Sequence, residues 1–289
     1  MHYIEVGTEN SATVDLHYQD HGSGKPVILL HGWPLNERSW ENQEAVLLAK
    51  GFRVISYARR GFGESSKPAT GYNYDTFAED LHRIILKLDL REITLVGFSM
   101  GTGEIARYIS AYGSDRIEKA VFISGILPAL LKTDGNLMGV EKKVFDDMIK
   151  KCIENRPTFI KAFLKDFYSH GALGLKDVSQ EVIDFSWMLA MEASAIATVK
   201  SIDSWLEDFR SDIVKIKIPT LVIHGSGDKI TPIKATGERL KEMLPEAQYL
   251  EIADGPHGLL ASHANEVNAA LLRFLGEARA SYTETELRH

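Results

Sequence analysis

A serine between two glycines gives the first chemical signal in this sequence. Residues 95–103 read LVGFSMGTG, with Ser99 at the centre, an apolar run before it and a helical pattern after it. This order predicts a nucleophile elbow, a tight strand-to-helix turn that lifts a serine oxygen clear of the backbone. Side chains at Gly97 and Gly101 would collide where strand and helix meet. Ordinary turns also match this pattern, so a nucleophile needs a matching base and acid.

Two later loops supply an acid and a base. Asp228 follows the apolar run 220–224 and a glycine-rich turn, and His257 follows the run 248–252. Parallel sheets place their sites beyond the carboxyl ends of strands, so both loops can converge on Ser99. The chain order serine, aspartate, histidine is that of α/β-hydrolases. We therefore predict a catalytic triad, although each of the two later residues alone would be an ordinary loop residue.

Two backbone amides are predicted to receive the negative charge that forms on a substrate oxygen. Met100 begins the helix after the elbow, where N–H groups have no partner within the helix and the dipole is positive. The second donor comes from the loop after the run 26–30, where the Trp33 N–H is the candidate. Together these two amides would form an oxyanion hole.

Apolar side chains beside the triad positions suggest the substrate. Phe98, Ile230 and Leu259 are predicted, with Trp33 and Met100, to form a wall that binds uncharged acyl groups, short or aromatic. The expected partner is thus a small-molecule ester.

Other polar residues near these motifs have structural interpretations. His31 is expected to bond nearby backbone and shape its loop, and His224 is expected to be structural as well. Asp254 is explained by its strand-end turn, and Asp203 is a weaker substitute for the acid. No spacing of His, Cys, Asp or Glu suggests a metal site, so neither metal nor cofactor is expected.

Composition excludes several classes of protein. The chain has 289 residues, 44% hydrophobic and 25% charged, with a formal charge of −7 and no basic run, which argues against a nucleic-acid partner. Its longest aliphatic run, residues 27–30, is too short to span a bilayer. The first residues lack a signal-peptide pattern, so a cytoplasmic protein is expected. The single cysteine, Cys152, excludes an internal disulfide.

Strand and helix patterns alternate along most of the chain. This alternation predicts an α/β fold with a doubly wound, mostly parallel sheet, whose first two strands form an antiparallel edge because no helix separates them. Predicted strands cover 13–19, 26–30, 53–57, 93–96, 119–124, 219–224 and 248–252. Predicted helices cover 39–49, 75–88, 101–112, 234–243 and 263–276.

The alternation of strands and helices stops between residue 128 and about residue 212. Residues 128–212 are predicted to form a helical lid over the sheet's carboxyl edge, and residues 1–127 with 213–276 to form the core. Residues 277–289 are predicted to be a polar C-terminal extension, either solvated or an arm for oligomer contacts. The lid helices are predicted over 141–154, 157–168, 179–191 and 194–205.

The motifs together resemble the cofactor-free haloperoxidases of the α/β-hydrolase superfamily and their aryl-esterase relatives. The resemblance spans residues from about 3 to 276 and implies an eight-stranded α/β-hydrolase fold. It implies ester hydrolysis, with a perhydrolase side reaction in which peroxide releases a peracid. Relatives often associate, so the resemblance allows a homo-oligomer. The matching segments are His31-Gly32-Trp33-Pro34, residues 57–66, Gly97-Phe98-Ser99-Met100-Gly101, Gly225-Ser226-Gly227-Asp228 and Pro256-His257-Gly258-Leu259.

Two positions refine the resemblance. Pro34, after the oxyanion-loop tryptophan, is the form associated with perhydrolysis. The family usually carries an aspartate where this chain has Ala58. That aspartate braces the oxyanion loop, so its loss would loosen the loop or leave a cavity.

Three alternatives use the same motifs. A lactamase or lactonase, or a carbon–carbon bond hydrolase, would employ the same triad. A ligand receptor with a hydrolase fold would keep the triad without turnover. A panel of esters, lactones and lactams separates the enzymes from one another, and multiple turnover separates them from a receptor.

Overall fold

The computed structural model describes residues 2–171 and 178–276. Their strands are β1 His2–Glu9, β2 Ala12–His21, β3 Pro26–Leu30, β4 Arg53–Tyr57, β5 Ile93–Phe98, β6 Ile117–Ile123, β7 Thr220–Gly225 and β8 Gln248–Ile252. The helices are α1 Glu41–Ala49, α2 Tyr74–Lys87, α3 Met100–Tyr112, α4 Lys142–Tyr168, α5 Gln180–Met191, α6 Ala195–Ser204, α7 Arg210–Ile213, α8 Gly237–Met243, α9 Leu259–Ser262 and α10 Ala264–Leu275. The predicted extension over 277–289 lies outside the described residues.

The strands form a single sheet in the order β1-β2-β4-β3-β5-β6-β7-β8. The six strands from β4 to β8 in this order run parallel to one another. β5 and β7 are buried at every position, as expected for strands covered on both faces. The covering helices form two separate groups, α1 with α9 and α10, and α2 with α3 and α7. The predicted doubly wound, mostly parallel sheet of eight strands is confirmed.

The antiparallel edge is made differently from the prediction. The runs 13–19 and 26–30 are not paired with each other, because β2 pairs antiparallel with β1 on one side and β4 on the other. Asn10 and Ser11 connect β1 to β2 and both have positive φ, 50° and 68°. A two-residue turn of this kind matches the twist of a hairpin. The alternation in residues 2–9 was the available signal for the extra strand.

Between β6 and β7 the described residues form helices α4 to α7, the loops that join them, and two short β-bridges within residues 131–140. The predicted helices over 141–154 and 157–168 are one helix, α4, with a kink at Asn155. The Asn155 side chain accepts the N–H of Thr158 at 3.2 Å and so caps the second half of α4, with Pro157 in its first turn. The lid boundaries at 128 and 212 stay a prediction.

Among the described residues, the one candidate for a membrane span is a pair of helices. No single described helix has the length and apolar character to cross a membrane. α5 and α6 reach that length only together, across a bend of 98°.

A buried ion pair ties the elbow helix to the loop after β4. Arg59 Nε donates to a carboxylate oxygen of Glu104 in α3, and the Tyr57 hydroxyl donates to the other. The Arg59 backbone N–H donates to His31 Nε2 at 3.1 Å. The Arg59 and Glu104 side chains are 1% and 0% exposed. Buried charges persist only when paired, so this pair couples β4, α3 and the loop after β3.

Replacing Glu104 with glutamine tests this coupling. The change leaves Arg59 buried without an anion, so the free energy of unfolding is expected to fall by about 3–5 kcal/mol. Urea unfolding followed by circular dichroism measures the loss. The matched control is Glu79→Gln, which removes the exposed pair with Arg83 and should change stability by less than about 1 kcal/mol. Equal effects of the two substitutions would refute a special role for the buried pair.

Candidate active site

Ser99 lies at the tight turn between β5 and α3. Its φ of 52° is in the left-handed region, and its ψ is −118°. A Cβ at Gly97 would lie 2.7 Å from the Gly101 carbonyl oxygen, and a Cβ at Gly101 would lie 2.3 Å from the Leu30 carbonyl oxygen. Neither position therefore accepts a side chain without a backbone shift. The strained turn directs the serine hydroxyl away from the sheet, as a nucleophile elbow requires.

Ser99, His257 and Asp228 form one continuous chain of hydrogen bonds. The Ser99 hydroxyl lies 2.9 Å from His257 Nε2, and His257 Nδ1 lies 2.8 Å from Asp228 Oδ2. A carboxylate only accepts, so Nδ1 carries the proton and Nε2 is free to accept one from the serine. The three loops follow β5, β7 and β8, whose carboxyl ends share one edge of the sheet. All three residues are buried, with side chains from three distant parts of the sequence.

Asp228 is held by its own turn. Its Oδ1 accepts the N–H groups of Ile230 and Thr231 at 2.9 and 2.8 Å, and its Oδ2 accepts the Thr231 hydroxyl at 2.9 Å. Thr231 Oγ1 also lies 3.2 Å from His257 Nδ1. Thr231 was missed in the sequence. An aspartate whose side chain accepts the N–H groups of the residues two and three positions later is a recognised turn motif. That motif could have pointed to Thr231.

The environment keeps Asp228 ionised. Burial alone would raise the pKa of Asp228, but the charge of His257 and hydrogen bonds from His224 and His257 outweigh burial and hold that pKa well below its ordinary range. His224 Nε2 lies 2.9 Å from the Thr231 carbonyl and 3.3 Å from Asp228 Oδ2. Asp228 is therefore a permanent negative charge beside the histidine. Such a charge stabilises an imidazolium.

The two amides expected at the oxyanion hole follow neighbouring parallel strands, β3 and β5. Met100 is the first residue of α3, and Trp33 lies in the loop after β3. Neither N–H donates to another residue within the described part of the chain. The Trp33 indole donates to the Thr198 carbonyl of α6 at 3.0 Å, which fixes the ring. Both amides are thus available to a ligand.

His31 shapes the oxyanion loop. Its Nδ1 donates to the Gly32 carbonyl at 3.0 Å, and its Nε2 accepts the Arg59 N–H. Burial and the nearby Arg59 charge lower the pKa of His31 well below its ordinary value. The ring is therefore neutral and bonds backbone on both sides, which is a structural role.

A cavity of about 740 Å³ opens over Ser99 and His257. Its walls are largely apolar, and charged side chains lie among them toward α4. Trp33 and Ile230 line the cavity. Phe98, Met100 and Leu259 do not, because all three are buried in the core, where the Phe98 ring packs 5.2 Å from the His257 ring. The wall expected from those three residues is formed instead by residues between β6 and β7, mainly Val144, Phe145, Met148, Phe159, Phe163 and Trp205.

The surroundings of Ala58 contain a carboxylate from another position. Ala58 is fully buried, and its N–H donates to the His17 carbonyl at 3.0 Å. A Cβ at Gly63 would lie 3.0 Å from both the Ala58 methyl and Glu37 Oε2, so both groups lie against the backbone of Gly63. Glu37 Oε1 lies 3.0 Å from His17 Nδ1. Glu37 belongs to a 3-10 helix of the oxyanion loop itself, so this loop carries its own buried carboxylate.

Comparisons with known proteins agree with this fold. A family model for the α/β hydrolase fold matches residues 25–264. A Synechocystis protein assigned as a non-heme chloroperoxidase is 50% identical over 95% of this chain and 100% of its own length. The bifunctional esterase/perhydrolase DCH of Acinetobacter calcoaceticus is 34% identical over 91% of this chain and 96% of its own length. A bromoperoxidase from Bacillus anthracis is 44% identical in sequence to this chain. Its crystal structure matches with a TM-score of 0.91 over 95% of this chain and 99% of that one.

A serine-reactive fluorophosphonate tests the nucleophile. The probe is expected to label Ser99, because only a hydroxyl with an adjacent base becomes nucleophilic. Peptide mass spectrometry locates the label. The matched control is Ser124, another buried serine with positive φ (46°) at the end of a strand, whose hydroxyl has no hydrogen-bond partner among the described residues. Labelling should vanish in Ser99→Ala and persist in Ser124→Ala, and the reverse pattern would refute the assignment.

Proposed function

The chain belongs to the α/β-hydrolase family of enzymes, and on that premise we propose that it is a serine carboxylesterase with peroxide as a second acyl acceptor. The observation that carries this proposal is the unbroken hydrogen-bond chain from Ser99 through His257 to Asp228 beneath an apolar cavity. No metal or cofactor is needed for this chemistry, since base, acid and oxyanion donors all come from the chain itself.

The first half-reaction acylates Ser99. His257 Nε2 takes the hydroxyl proton as the serine oxygen attacks the ester carbon, and Asp228 stabilises the resulting imidazolium. The N–H groups of Trp33 and Met100 receive the negative charge on the former carbonyl oxygen. Each such donor is typically worth about 10²–10³ in turnover. His257 then gives its proton to the leaving alcohol, and the acyl-enzyme remains.

The second half-reaction returns the serine. Water attacks the acyl carbon while His257 takes its proton, and collapse of the intermediate releases a carboxylic acid and restores the Ser99 hydroxyl. Hydrogen peroxide reacting in the same way releases a peracid, which oxidises halide away from the site. The names of the esterase/perhydrolase and bromoperoxidase relatives support this second acceptor.

The cavity supports an apolar, uncharged ester as the substrate. Cavities of about 300–1,000 Å³ hold ligands of drug-like size, so 740 Å³ exceeds what a short acyl group alone would fill. The aromatic side chains of Trp33, Phe163 and Trp205 line this cavity together with Ser99, and the Trp33 ring packs edge to face against the other two. We therefore expect substrates with a ring or a longer chain on at least one side of the ester bond.

Asp228→Asn tests the triad in turnover of p-nitrophenyl esters. The asparagine side chain stabilises the wrong histidine tautomer, so kcat is expected to fall about 10⁴-fold while KM changes little. The control is Asp254→Asn, an exposed aspartate three residues before His257, which should leave kcat unaltered. Lactones and lactams assayed in parallel separate the alternatives, because a strict lactamase would ignore aryl esters. Full activity of Asp228→Asn would contradict the mechanism.

Hydrogen peroxide tests the second acceptor. Addition of peroxide to an ester reaction is expected to yield peracid, detected by bromination of monochlorodimedone in the presence of bromide. Both peracid formation and ester hydrolysis should disappear in Ser99→Ala, because they share one acyl-enzyme. Bromination that persists without Ser99 would show a different source of oxidant and exclude this route.

A further inference from the structure

We propose that Phe167, at the end of α4, is a positioning residue that holds His257 in line with Ser99. In this way α4 sets the catalytic geometry as well as covering the substrate. The proposal rests on the proposed function. Phe167 does not line the cavity, and it contacts the histidine loop through both its ring and its backbone carbonyl. It acts through His257 and does not contact the substrate.

The contacts of Phe167 with the histidine loop are of two kinds. Its carbonyl accepts the Gly258 N–H at 2.9 Å, directly after His257 in the chain. Its ring meets the His257 ring edge to face, with centroids 4.9 Å apart and planes at 82°. The Phe98 ring touches both, 5.2 Å from His257 and 5.9 Å from Phe167. The imidazole therefore packs against two aromatic rings, which also touch each other, while its nitrogens bond Ser99 and Asp228.

The next residue of α4 closes the space behind the loop. A Cβ at Gly258 would lie 2.4 Å from the Tyr168 ring, so the backbone of the histidine loop lies directly against this ring. The Tyr168 hydroxyl lies 2.8 Å from Ser186 Oγ of α5, which fixes the ring in turn. His257 is 1% exposed. The loop therefore has no room to withdraw from Ser99 while α4 stays in place.

One turn earlier, α4 reaches the oxyanion loop. Phe163 is four residues before Phe167 and lies on the same helix face, with ring centroids 5.9 Å apart. Its ring meets Trp33 edge to face at 5.1 Å. One helical face thus contacts both the loop that carries an oxyanion donor and the loop that carries the base. A displacement of about 1 Å between such groups can cost about 10² in rate.

The second half of α4, after the kink at Asn155, is anchored to α5 and to the turn that follows it. Arg156 Nη1 donates to the Ala193 carbonyl in that turn at 2.9 Å. The Trp187 indole of α5 donates to the Pro157 carbonyl at 3.0 Å. These bonds fix the half of α4 that carries Phe163 and Phe167, and residues of both halves line the cavity.

Kinetics of Phe167 variants test the proposal. Phe167→Ala is expected to lower kcat for p-nitrophenyl esters about 10²-fold while KM stays within about two-fold, since geometry is lost and binding is not. Phe167→Leu keeps most of the buried volume and should recover part of the loss. The control is Phe274→Ala, a buried phenylalanine of α10 packed against Lys119, which should lower stability without lowering kcat. Unchanged kcat in a folded Phe167→Ala would overturn the proposal.

A second measurement does not depend on activity. The Nδ1 proton of His257, bonded to Asp228 at 2.8 Å in a buried site, should give a slowly exchanging NMR signal in the wild-type protein. That signal should broaden in Phe167→Ala and persist in Phe274→Ala. A persistent signal in Phe167→Ala would overturn the positioning role. A wild-type protein inactive on esters, with the signal lost only in Phe167→Ala, would refute the proposed function and leave the positioning role supported.

Discussion

The close approach of β5 and α3 is the constraint on which the site depends. The backbone at Gly97 and Gly101 meets other backbone at distances that leave no space for a Cβ, so the turn between them must be sharp. Ser99 is therefore held at positive φ, and the N–H of Met100 is left at the open end of a helix. The proposed nucleophile and the proposed oxyanion donor thus follow from one piece of backbone geometry.

Beneath the elbow, buried charge holds this geometry in place. Arg59 and Glu104 connect β4 to α3, and Arg59 also bonds His31 in the oxyanion loop. The two segments that carry the oxyanion donors are therefore braced against each other below the sheet edge. Above the edge, Phe163 and Phe167 of α4 brace the oxyanion loop and the histidine loop. The active site lies between a polar support below and an aromatic support above.

Local patterns in the sequence predict the elements well and the contacts between distant elements poorly. The kink in α4 was visible as a gap between two predicted helices, because Asn155 and Pro157 carry a local signal. The pairing of β2 was not visible, because strand order is decided by which edges meet in space. Glu37 and Ala58 both lie against Gly63 in the fold, a relation between positions 21 residues apart that neither residue indicates by itself.

The sequence by itself determined the chemistry: a serine in a turn that excludes side chains, an acid and a base each placed after a strand, and an alternation that brings their loops to one edge. These are local properties, because each depends only on residue types and on short spacings along the chain. Only the tertiary structure decided which apolar residues meet the substrate and which support the histidine. Phe98 and Phe167 are hydrophobic like the residues that line the cavity, and only their packing around His257 tells them apart. Hydrophobic side chains carry no directional signal in the sequence, because burial constrains their volume and not their partner.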